Sequence, residues 1–293
     1  MSIVITAFLF QLTCAGDKTG ERFVDMSNEQ IDSLLTLVST KNMTITERMG
    51  YFSEYFLEMP YNLTCAGDGE YALYETWPMV NFQKTNCMVF CEHVLALSIS
   101  DSWDNFFNNL QQIRYKDGIV GMRTRNHYTI GDWLPQNSWL LNDVSKQVGG
   151  TLSKKLTRSI SHQEFFKGKG ITDLRYVMPD REITINFIPK ESLSEIKKNL
   201  KNGDIGCLLF AKLTNIFSAH MWMVIEKNGE LIIRESSSSK MSTFDTPYAQ
   251  WAEKIAGSER YIGIALMRVK DELNTPGKII LPWKVTSLKM NCE

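Results

Sequence analysis

The order of hydrophobic patterns along the chain is the feature that most limits its fold. Apolar residues recur at helical spacing before about residue 115, whereas they follow strand patterns after about residue 180. Helices first and strands afterwards predict an α+β fold. The predicted helices are SNEQIDSLLTLVST, TITERMGYFSEYFLEM, TNCMVFCEHVLAL, SDSWDNFFNNLQQIRY and the later ESLSEIKKNLK. The predicted strands are REITINFIP, DIGCLLFAKL, AHMWMVIEK, ELIIRESS and YIGIALMRV.

Two residues far apart in the sequence predict a nucleophile and its base. Asn86 is a good N-cap, so Cys87 would lie in the first turn of the helix TNCMVFCEHVLAL. Free backbone N–H groups and the helix dipole lower the pKa of a thiol at that position. His220 lies in FSAHMWMVI, whose apolar pattern predicts a strand covered on both faces, with the ring against a helix. We therefore expect Cys87 and His220 to form a thiolate–imidazole pair.

Composition limits the classes of partner. The 293 residues carry a net charge of -1, which removes the usual electrostatic case for nucleic acid or an anionic membrane surface. The six cysteines form no CxxC pair and no Cys/His spacing typical of zinc, so we expect no metal site and no cofactor. Residues 17–293 suffice for one large catalytic domain, with a helical part over 27–80 and the core over 81–270.

Residues 1–16 form a candidate export leader. MSIVITAFLFQLTCAG contains an uncharged apolar run and then small residues, which resembles a secretory signal without its Lys/Arg start. The run is too short to span a bilayer. Cys14 could also be the acylated cysteine of a lipoprotein, and a buried helix or strand is the other alternative. We expect an exported, periplasmic or cell-envelope lipoprotein, anchored at most through Cys14, and a cytoplasmic protein if the run is no signal.

Residues 116–170 predict a loop-rich region with short helices. They are polar and rich in Asn, Gly and Ser, and binding groups tend to lie in such segments. Because Arg pairs with carboxylates and Trp faces commonly stack on sugars, the densest polar and aromatic cluster is the candidate for substrate binding. The alternative is a loop held by its own hydrogen bonds. The cluster consists of Arg125, Asn126, His127, Asp132 and Trp133.

A helix-borne cysteine followed by a strand-borne histidine is the chain order of papain-like and NlpC-type peptidases. In detail, the chain resembles the N-acetylmuramoyl-L-alanine amidase-like family, once described only as a domain of unknown function, within the NlpC superfamily of cysteine amidases. The resemblance runs from about Met59 to Lys270. It rests on Pro60-Tyr61, on Cys87-x-x-Phe90-x-Glu92 with Leu95-Ala96-Leu97, and on IRYKDG, RNHYTIGDW, LKNGDI, Ala219-His220 and IIRESSSSKM.

The resemblance implies a papain-like core, in which the nucleophile-bearing helix packs on an antiparallel sheet. It also implies hydrolysis of the amide that joins N-acetylmuramic acid to L-alanine, with peptidoglycan fragments as partners. Cys87 would attack the lactyl carbonyl, and His220 would protonate the leaving amine and then activate water. The oxyanion would be held by the backbone N–H of Cys87 and by Tyr61, which matches a tyrosine beside the nucleophile in NlpC-type enzymes.

The third residue of the site departs from the family pattern. NlpC-type enzymes use a polar side chain, commonly His, Asn or Gln, on the strand after the catalytic histidine. Here that place reads Arg234-Glu235-Ser236-Ser237. A carboxylate that accepts from the imidazole would fix its tautomer, so Glu235 is the candidate, with Ser237 if the register differs. Asn86 stands where Asp often precedes the nucleophile.

Other interpretations stay open from the sequence alone. A cysteine in an apolar helix can be core filler, and His127 competes with His220 as the base. A related enzyme would cleave within the stem peptide or transfer an acyl group. A non-enzymatic protein would bind the cell wall as a lipoprotein with a decayed site. No oligomeric state follows from the sequence.

Overall fold

A computed structural model describes residues 20–291 of the chain. The leader predicted over residues 1–16, with the candidate anchor at Cys14, lies outside the described residues. The described part combines helices with antiparallel strands, so the predicted α+β class is confirmed. Within residues 20–291, no helix has both the length and the apolarity needed to cross a bilayer.

The first two helices begin at capping boxes. The hydroxyl groups of Ser27 and Thr44 each accept from the backbone N–H of the residue three positions later. The side chain of that residue in turn accepts from the backbone N–H of the capping residue. The α-helices are α1 (Asn28–Ser39), α2 (Ile45–Glu54), α3 (Cys87–Ser98), α4 (Trp103–Arg114), α5 (Leu134–Gln136), α6 (Ser145–Gly149), α7 (His162–Gly168), α8 (Tyr248–Ala256) and α9 (Val285–Met290). A π-helical turn, Thr129–Trp133, leads directly into α5.

The strands form one antiparallel sheet. Their order is β2-β3-β8-β4-β5-β6-β7, and β1 pairs with β8. The strands are β1 (Leu141–Asp143), β2 (Lys154–Ile160), β3 (Arg181–Pro189), β4 (Ile205–Phe210), β5 (Ser218–Lys227), β6 (Glu230–Ser237), β7 (Ser242–Pro247) and β8 (Tyr261–Val269). The last strand in sequence therefore lies inside the sheet, between β3 and β4.

The ladder between β5 and β6 stops before either strand ends. Its register pairs run from Lys227 and Glu230 to Met223 and Arg234. Beyond that point, β5 stays paired with β4 and β6 stays paired with β7. The two strands therefore separate at one end, which leaves an opening between residues 220–222 and residues 235–237.

Both faces of β5 are covered, as its apolar pattern predicts. Residues 89–98 of α3 are all buried, and this helix packs on one face of the sheet in the main core. On the other face, the rings of Trp222 and Trp251 meet at 4.6 Å under α8. Gly206 on β4 makes room for Trp222, because a Cβ there would lie 2.2 Å from the ring.

Some elements differ from the prediction. Helix α2 ends at Glu54 instead of running to Pro60, and the predicted helix over residues 191–201 contains only the 3₁₀ turns Lys190–Ser192 and Lys197–Asn199. Strand β2 was not predicted, because it is an end strand whose residues are mostly polar and half-exposed. It falls within the region expected to be loop-rich, whose remaining part consists of short helices, turns and the three-residue strand β1.

Candidate active site

Cys87 is the first residue of α3, and its neighbour Asn86 caps the helix. The Asn86 side-chain oxygen accepts from the backbone N–H groups of Met88 at 3.0 Å and of Val89 at 2.9 Å. The N–H of Cys87 itself has no acceptor in the described part of the chain. An unused donor therefore lies directly beside the thiol, at the positive end of the helix dipole.

The thiol of Cys87 lies at the opening between β5 and β6. Val224 directs its backbone N–H toward the β4 side, to Asp204 at 2.8 Å, so by alternation Met221 directs its own toward β6. Since β6 has separated there, the Met221 N–H donates to the Cys87 sulfur instead. The end of the ladder thus supplies a hydrogen-bond donor to the thiolate.

The pKa of Cys87 lies below that of a free thiol. Burial raises this pKa, but the hydrogen bond and charge of His220 lower it, together with the backbone N–H groups of Met221 and Met88. The lowering contributions outweigh burial. Cys91 lies one turn further along α3, and within residues 20–291 no such donor reaches its thiol. Burial raises its pKa well above the usual value. The two cysteines of one helix are therefore chemically distinct.

His220 lies between Cys87 and Glu235. Its Nε2 is 2.5 Å from Glu235 Oε2, and the two side chains are only 13% and 9% exposed. With Nε2 engaged, Nδ1 is the ring nitrogen that faces the thiol. Burial lowers the pKa of His220, but the hydrogen bonds and charges of Cys87 and Glu235 raise it to about 10. At neutral pH the ring is therefore a cation, and it lies between the sulfur of Cys87 and the carboxyl group of Glu235.

The structure distinguishes the two candidates for the third residue. Glu235 contacts the His220 ring, whereas the Ser237 hydroxyl lies 3.1 Å from the hydroxyl of Ser239. Both residues lie on β6, but of these two candidates Glu235 is the one bonded to the imidazole. The geometry therefore favours Glu235 over Ser237 as the partner of His220.

Tyr61 lies beside the nucleophile. Its backbone runs parallel to Thr85, with the N–H of Asn62 bonded to the Thr85 carbonyl at 2.9 Å. Burial raises the pKa of Tyr61, and the nearby Cys87 thiolate raises it further. The phenol therefore keeps its proton and can donate a hydrogen bond next to Cys87.

Tyr261 is a neighbour of the site that the sequence did not indicate. It is the first residue of β8. This strand pairs with β4, which in turn pairs with β5, the strand that carries His220, and this order brings Tyr261 near the site. Burial raises the pKa of its phenol, Arg260 opposes this, and the charges of Glu235 and Cys87 raise it further. The Met221 N–H was missed for a similar reason, because a backbone group has no signature in sequence.

Three members of the loop cluster have structural contacts. Arg125 pairs with Glu75 at 2.7 Å, and the amide of Asn126 is buried and donates to the Ile113 carbonyl at 3.1 Å. Trp133 is 0% exposed and belongs to the main core. A fully buried ring offers no face to a sugar, so the predicted stacking role of Trp133 is corrected.

The other two members also support the loop. Asp132 is buried and accepts from the Tyr128 N–H at 3.0 Å, from His162 Nε2 at 2.9 Å and from Arg181 Nη2 at 2.8 Å. His127 Nε2 lies 2.7 Å from the Met122 carbonyl, and burial lowers its pKa to about 4. These bonds hold the loop against neighbouring elements, while His127 also lines a cavity, so the substrate contacts of the four residues other than Trp133 stay a prediction.

Two strings of the family resemblance meet in one buried ion pair. Glu92 of the Cys87 helix lies 2.7 Å from Arg114 of the IRYKDG string, and the two side chains are 3% and 0% exposed. Arg114 also donates to the Met79 carbonyl at 2.5 Å. These contacts fix α3 against α4, so Glu92 supports the helix that carries Cys87.

A cavity of about 440 Å³ lies beside the loop cluster. Its lining includes His127, Tyr128 and Ile216, and the chain continues from Ile216 to Ser218, whose hydroxyl is 3.4 Å from the His220 N–H. Among residues 20–291, no group of three or more His, Cys, Asp or Glu side chains is arranged to hold a metal ion. The groups positioned for chemistry here are a thiol, an imidazole, a carboxylate and two phenols.

Comparisons with solved structures show the same fold in bacterial proteins. A Legionella pneumophila protein is 21% identical, with a TM-score of 0.75 over 87% of this chain and 96% of that one. An N-acetylmuramoyl-L-alanine amidase from Bacteroides uniformis is 23% identical, with a TM-score of 0.62 over 78% of this chain and 99% of that one. A Bacteroides fragilis protein described as a xylanase is 25% identical, with a TM-score of 0.60 over 74% of this chain and 98% of that one.

No curated protein sequence matches the chain significantly. A family model does match it, over residues 51–258, and that range includes Tyr61, Cys87, His220 and Glu235. The match covers well over half of the sequence. The chain therefore belongs to the AmiA-like family, described as N-acetylmuramoyl-L-alanine amidase-like.

Proposed function

We propose that this protein is a cysteine amidase that hydrolyses the amide between N-acetylmuramic acid and L-alanine in peptidoglycan. The observation that carries the proposal is the hydrogen-bonded series Cys87, His220 and Glu235 at the start of α3. Family membership supports the substrate class, because the family is named for this amide. The Bacteroides uniformis structure, which bears the same enzyme name, has the same fold.

The first step is attack by the Cys87 thiolate on the lactyl carbonyl of the sugar. The lowered pKa of Cys87 keeps the thiolate populated, and His220 remains protonated beside it. The carbonyl carbon gains a bond to sulfur, and its oxygen becomes an anion. The free N–H of Cys87 and the neutral phenol of Tyr61 are the donors for this oxyanion.

Collapse of this intermediate breaks the C–N bond. His220 gives its proton to the nitrogen of L-alanine, which leaves as an amine, and a thioester remains on Cys87. The neutral imidazole then takes a proton from water, and the hydroxide attacks the thioester carbonyl. The C–S bond breaks, which releases the sugar acid and returns the Cys87 thiolate beside the protonated imidazole. Glu235 keeps the ring oriented through both steps and stabilises each imidazolium.

We propose further that residues 17–293 act as one catalytic domain of the papain-like or NlpC type. The packing of α3 on an antiparallel sheet, with its first residue against β5, supports this arrangement. Peptidoglycan lies outside the cytoplasm, so the substrate favours an exported protein. Residues 1–16 remain our candidate for the signal or for the lipoprotein leader with its anchor at Cys14.

Digestion of defined muropeptides tests the proposal. The full chain is incubated with a sugar-linked stem peptide, and the products are weighed by mass spectrometry. We expect free muramic acid sugar and an intact stem peptide. Cys87→Ala abolishes turnover, whereas Cys91→Ala, which alters the buried cysteine of the same helix, retains it.

The other functions give different products. A stem-peptide endopeptidase leaves L-alanine on the sugar, and an inactive wall-binding protein binds muropeptides without turnover by the wild type. The name of the Bacteroides fragilis structure makes xylan a useful third substrate. A glycosidase site needs two opposed carboxyl groups, whereas the carboxylate of Glu235 is engaged by an imidazole. The geometry therefore favours the amidase.

A further inference from the structure

A second cavity, of about 370 Å³, lies at one end of the sheet, beside Tyr261. It is formed where the ends of β3 and β4 and the start of β8 meet. Ionised side chains line much of this space, in contrast to the apolar core behind it. The cavity is lined by Lys154, Phe187, Pro189, Lys190, Glu191, Ala211, Lys212, Glu259, Tyr261 and Ile262.

Two of its three lysines have unused charges. The side chains of Lys154 and Lys212 are exposed and form no ion pair or hydrogen bond within residues 20–291. Lys190 is half-buried, and its Nζ donates to the Ser258 carbonyl at 2.5 Å, which leaves its charge uncompensated. Three ammonium groups therefore line a single concave space.

The acidic residues of the cavity do not neutralise it. Glu191 and Glu259 are exposed, and neither forms an ion pair with these lysines in the described range. Arg260 adds a further positive charge at the rim, with its guanidinium 5.5 Å from the Tyr261 ring and 5.4 Å from the Phe210 ring. Positive charges thus exceed negative ones, so the cavity favours an anion.

Tyr261 connects this cavity to the candidate active site. Its ring lines the cavity, and its phenol lies within electrostatic range of Cys87 and Glu235. Strands lie about 4.8 Å apart, so crossing from β5 over β4 to β8 and β3 takes about 10–14 Å. An extended peptide spans about 3.3–3.6 Å per residue, so three to four residues cover that distance.

We propose that this lysine-lined cavity binds a carboxylate of the stem peptide, three to four residues beyond the amide that is cleaved. The inference rests on the proposed amidase function and deepens it, since it makes an acidic leaving peptide part of the substrate. The cavity then contributes to substrate affinity and takes no part in bond breaking. Its attraction is electrostatic and weakens as salt is added.

The test compares the double variant Lys154→Ala/Lys212→Ala with Lys155→Ala. Lys155 is also exposed on β2 but points to the opposite face, so it is a matched control. Exposed ion pairs are worth about 0.2–1 kcal/mol each, so we expect about a two- to thirtyfold rise in KM with kcat unchanged. A stem peptide whose terminal carboxylates are amidated shows the same loss with the wild type and no further loss with the double variant.

Wild-type KM in the double variant, or an equal loss on the amidated substrate, would overturn the proposal. The amidase function fails separately, if the wild type turns over neither substrate. In that case, calorimetry with the free stem peptide and Cys87→Ala decides the question without turnover. If the stem peptide binds more weakly once Lys154→Ala and Lys212→Ala are added to Cys87→Ala, the cavity is supported as an anion site. If its affinity does not change, the anion site is rejected.

Discussion

Replacing Glu235 by Gln removes the charge that faces His220 and keeps the size of the side chain. The two side chains are 2.5 Å apart and are 9% and 13% exposed, so little water is present to take over the interaction. The amide of Gln can still accept a hydrogen bond from the ring. The change therefore isolates the contribution of the negative charge to the imidazolium.

The expected magnitude follows from the burial of this pair. Hydrogen bonds to charged groups are worth about 1.5–3 kcal/mol, and one pKa unit corresponds to about 1.4 kcal/mol. The pKa of His220, raised to about 10 in the wild type, therefore falls by roughly one to two units in Glu235→Gln. If the transition state uses the imidazolium, kcat/KM falls by about ten- to a hundredfold.

The direction of the pH effect is fixed by the two groups. His220 must be protonated to donate, so a lower pKa moves the alkaline limb of kcat/KM to lower pH. At the acidic limb the imidazolium is present in both proteins, so the pKa of Cys87 and the position of this limb stay close to those of the wild type. The pH range of activity consequently narrows from its alkaline side.

The assay is kcat/KM on a muropeptide against pH, with the rate of Cys87 alkylation against pH as a second readout. Glu230→Gln is the control, because it changes a carboxylate on the same strand that is 76% exposed and 3.6 Å from Lys197. We expect the control to match the wild type. An unchanged pH profile in Glu235→Gln would refute the role assigned to this carboxylate.

Three further predictions concern the support of the site. Asn86→Ala removes the cap of α3, so the free energy of unfolding in urea should fall by about 1 kcal/mol and the pKa of Cys87, read from alkylation profiles, should rise. Asn86→Ser, which keeps a capping oxygen, should restore most of the stability and most of the lowered pKa. Arg114→Met leaves the carboxyl group of Glu92 buried without its partner, so urea unfolding should show a loss of about 3–5 kcal/mol. The additional change Glu92→Leu should recover part of this loss. Burial lowers the pKa of His127 from 6.5 to about 4, so between these pH values the unfolded chain binds more protons than the folded one, and stability falls as the pH drops below 6.5. His127→Gln should therefore flatten the dependence of the melting temperature on pH between 4 and 6.5.

The elements that the sequence predicted well are those with local signals. The capping boxes at Ser27 and Thr44 mark helix starts within four residues, and β5, β6 and β8 are apolar because neighbours cover them. Strand β2 lies at the end of the sheet and buries few of its side chains, so the polarity of its sequence resembles that of a loop. Its strand state follows from pairing with β3, which no local window contains.

The candidate site divides along the same line. Asn86 and Cys87 are a local helix start, and Glu235 follows from its place on the strand after His220. Tyr261 and the Met221 N–H depend on which strands pair and on where a ladder stops. The role of Trp133 was misinterpreted because a ring buried in the core looks, in sequence, like a ring that is open to a ligand.

The separation of β5 and β6 before their ends lowers the stability of the sheet and raises the reactivity of the Cys87 thiol. Each strand hydrogen bond that is not formed there costs on the order of 1 kcal/mol. A chain that closed its sheet by one more pair would resist heat better, yet its Met221 N–H would turn away from sulfur. Substitutions that extend the pairing of these two strands should therefore raise the stability of the protein and lower the reactivity of the Cys87 thiol.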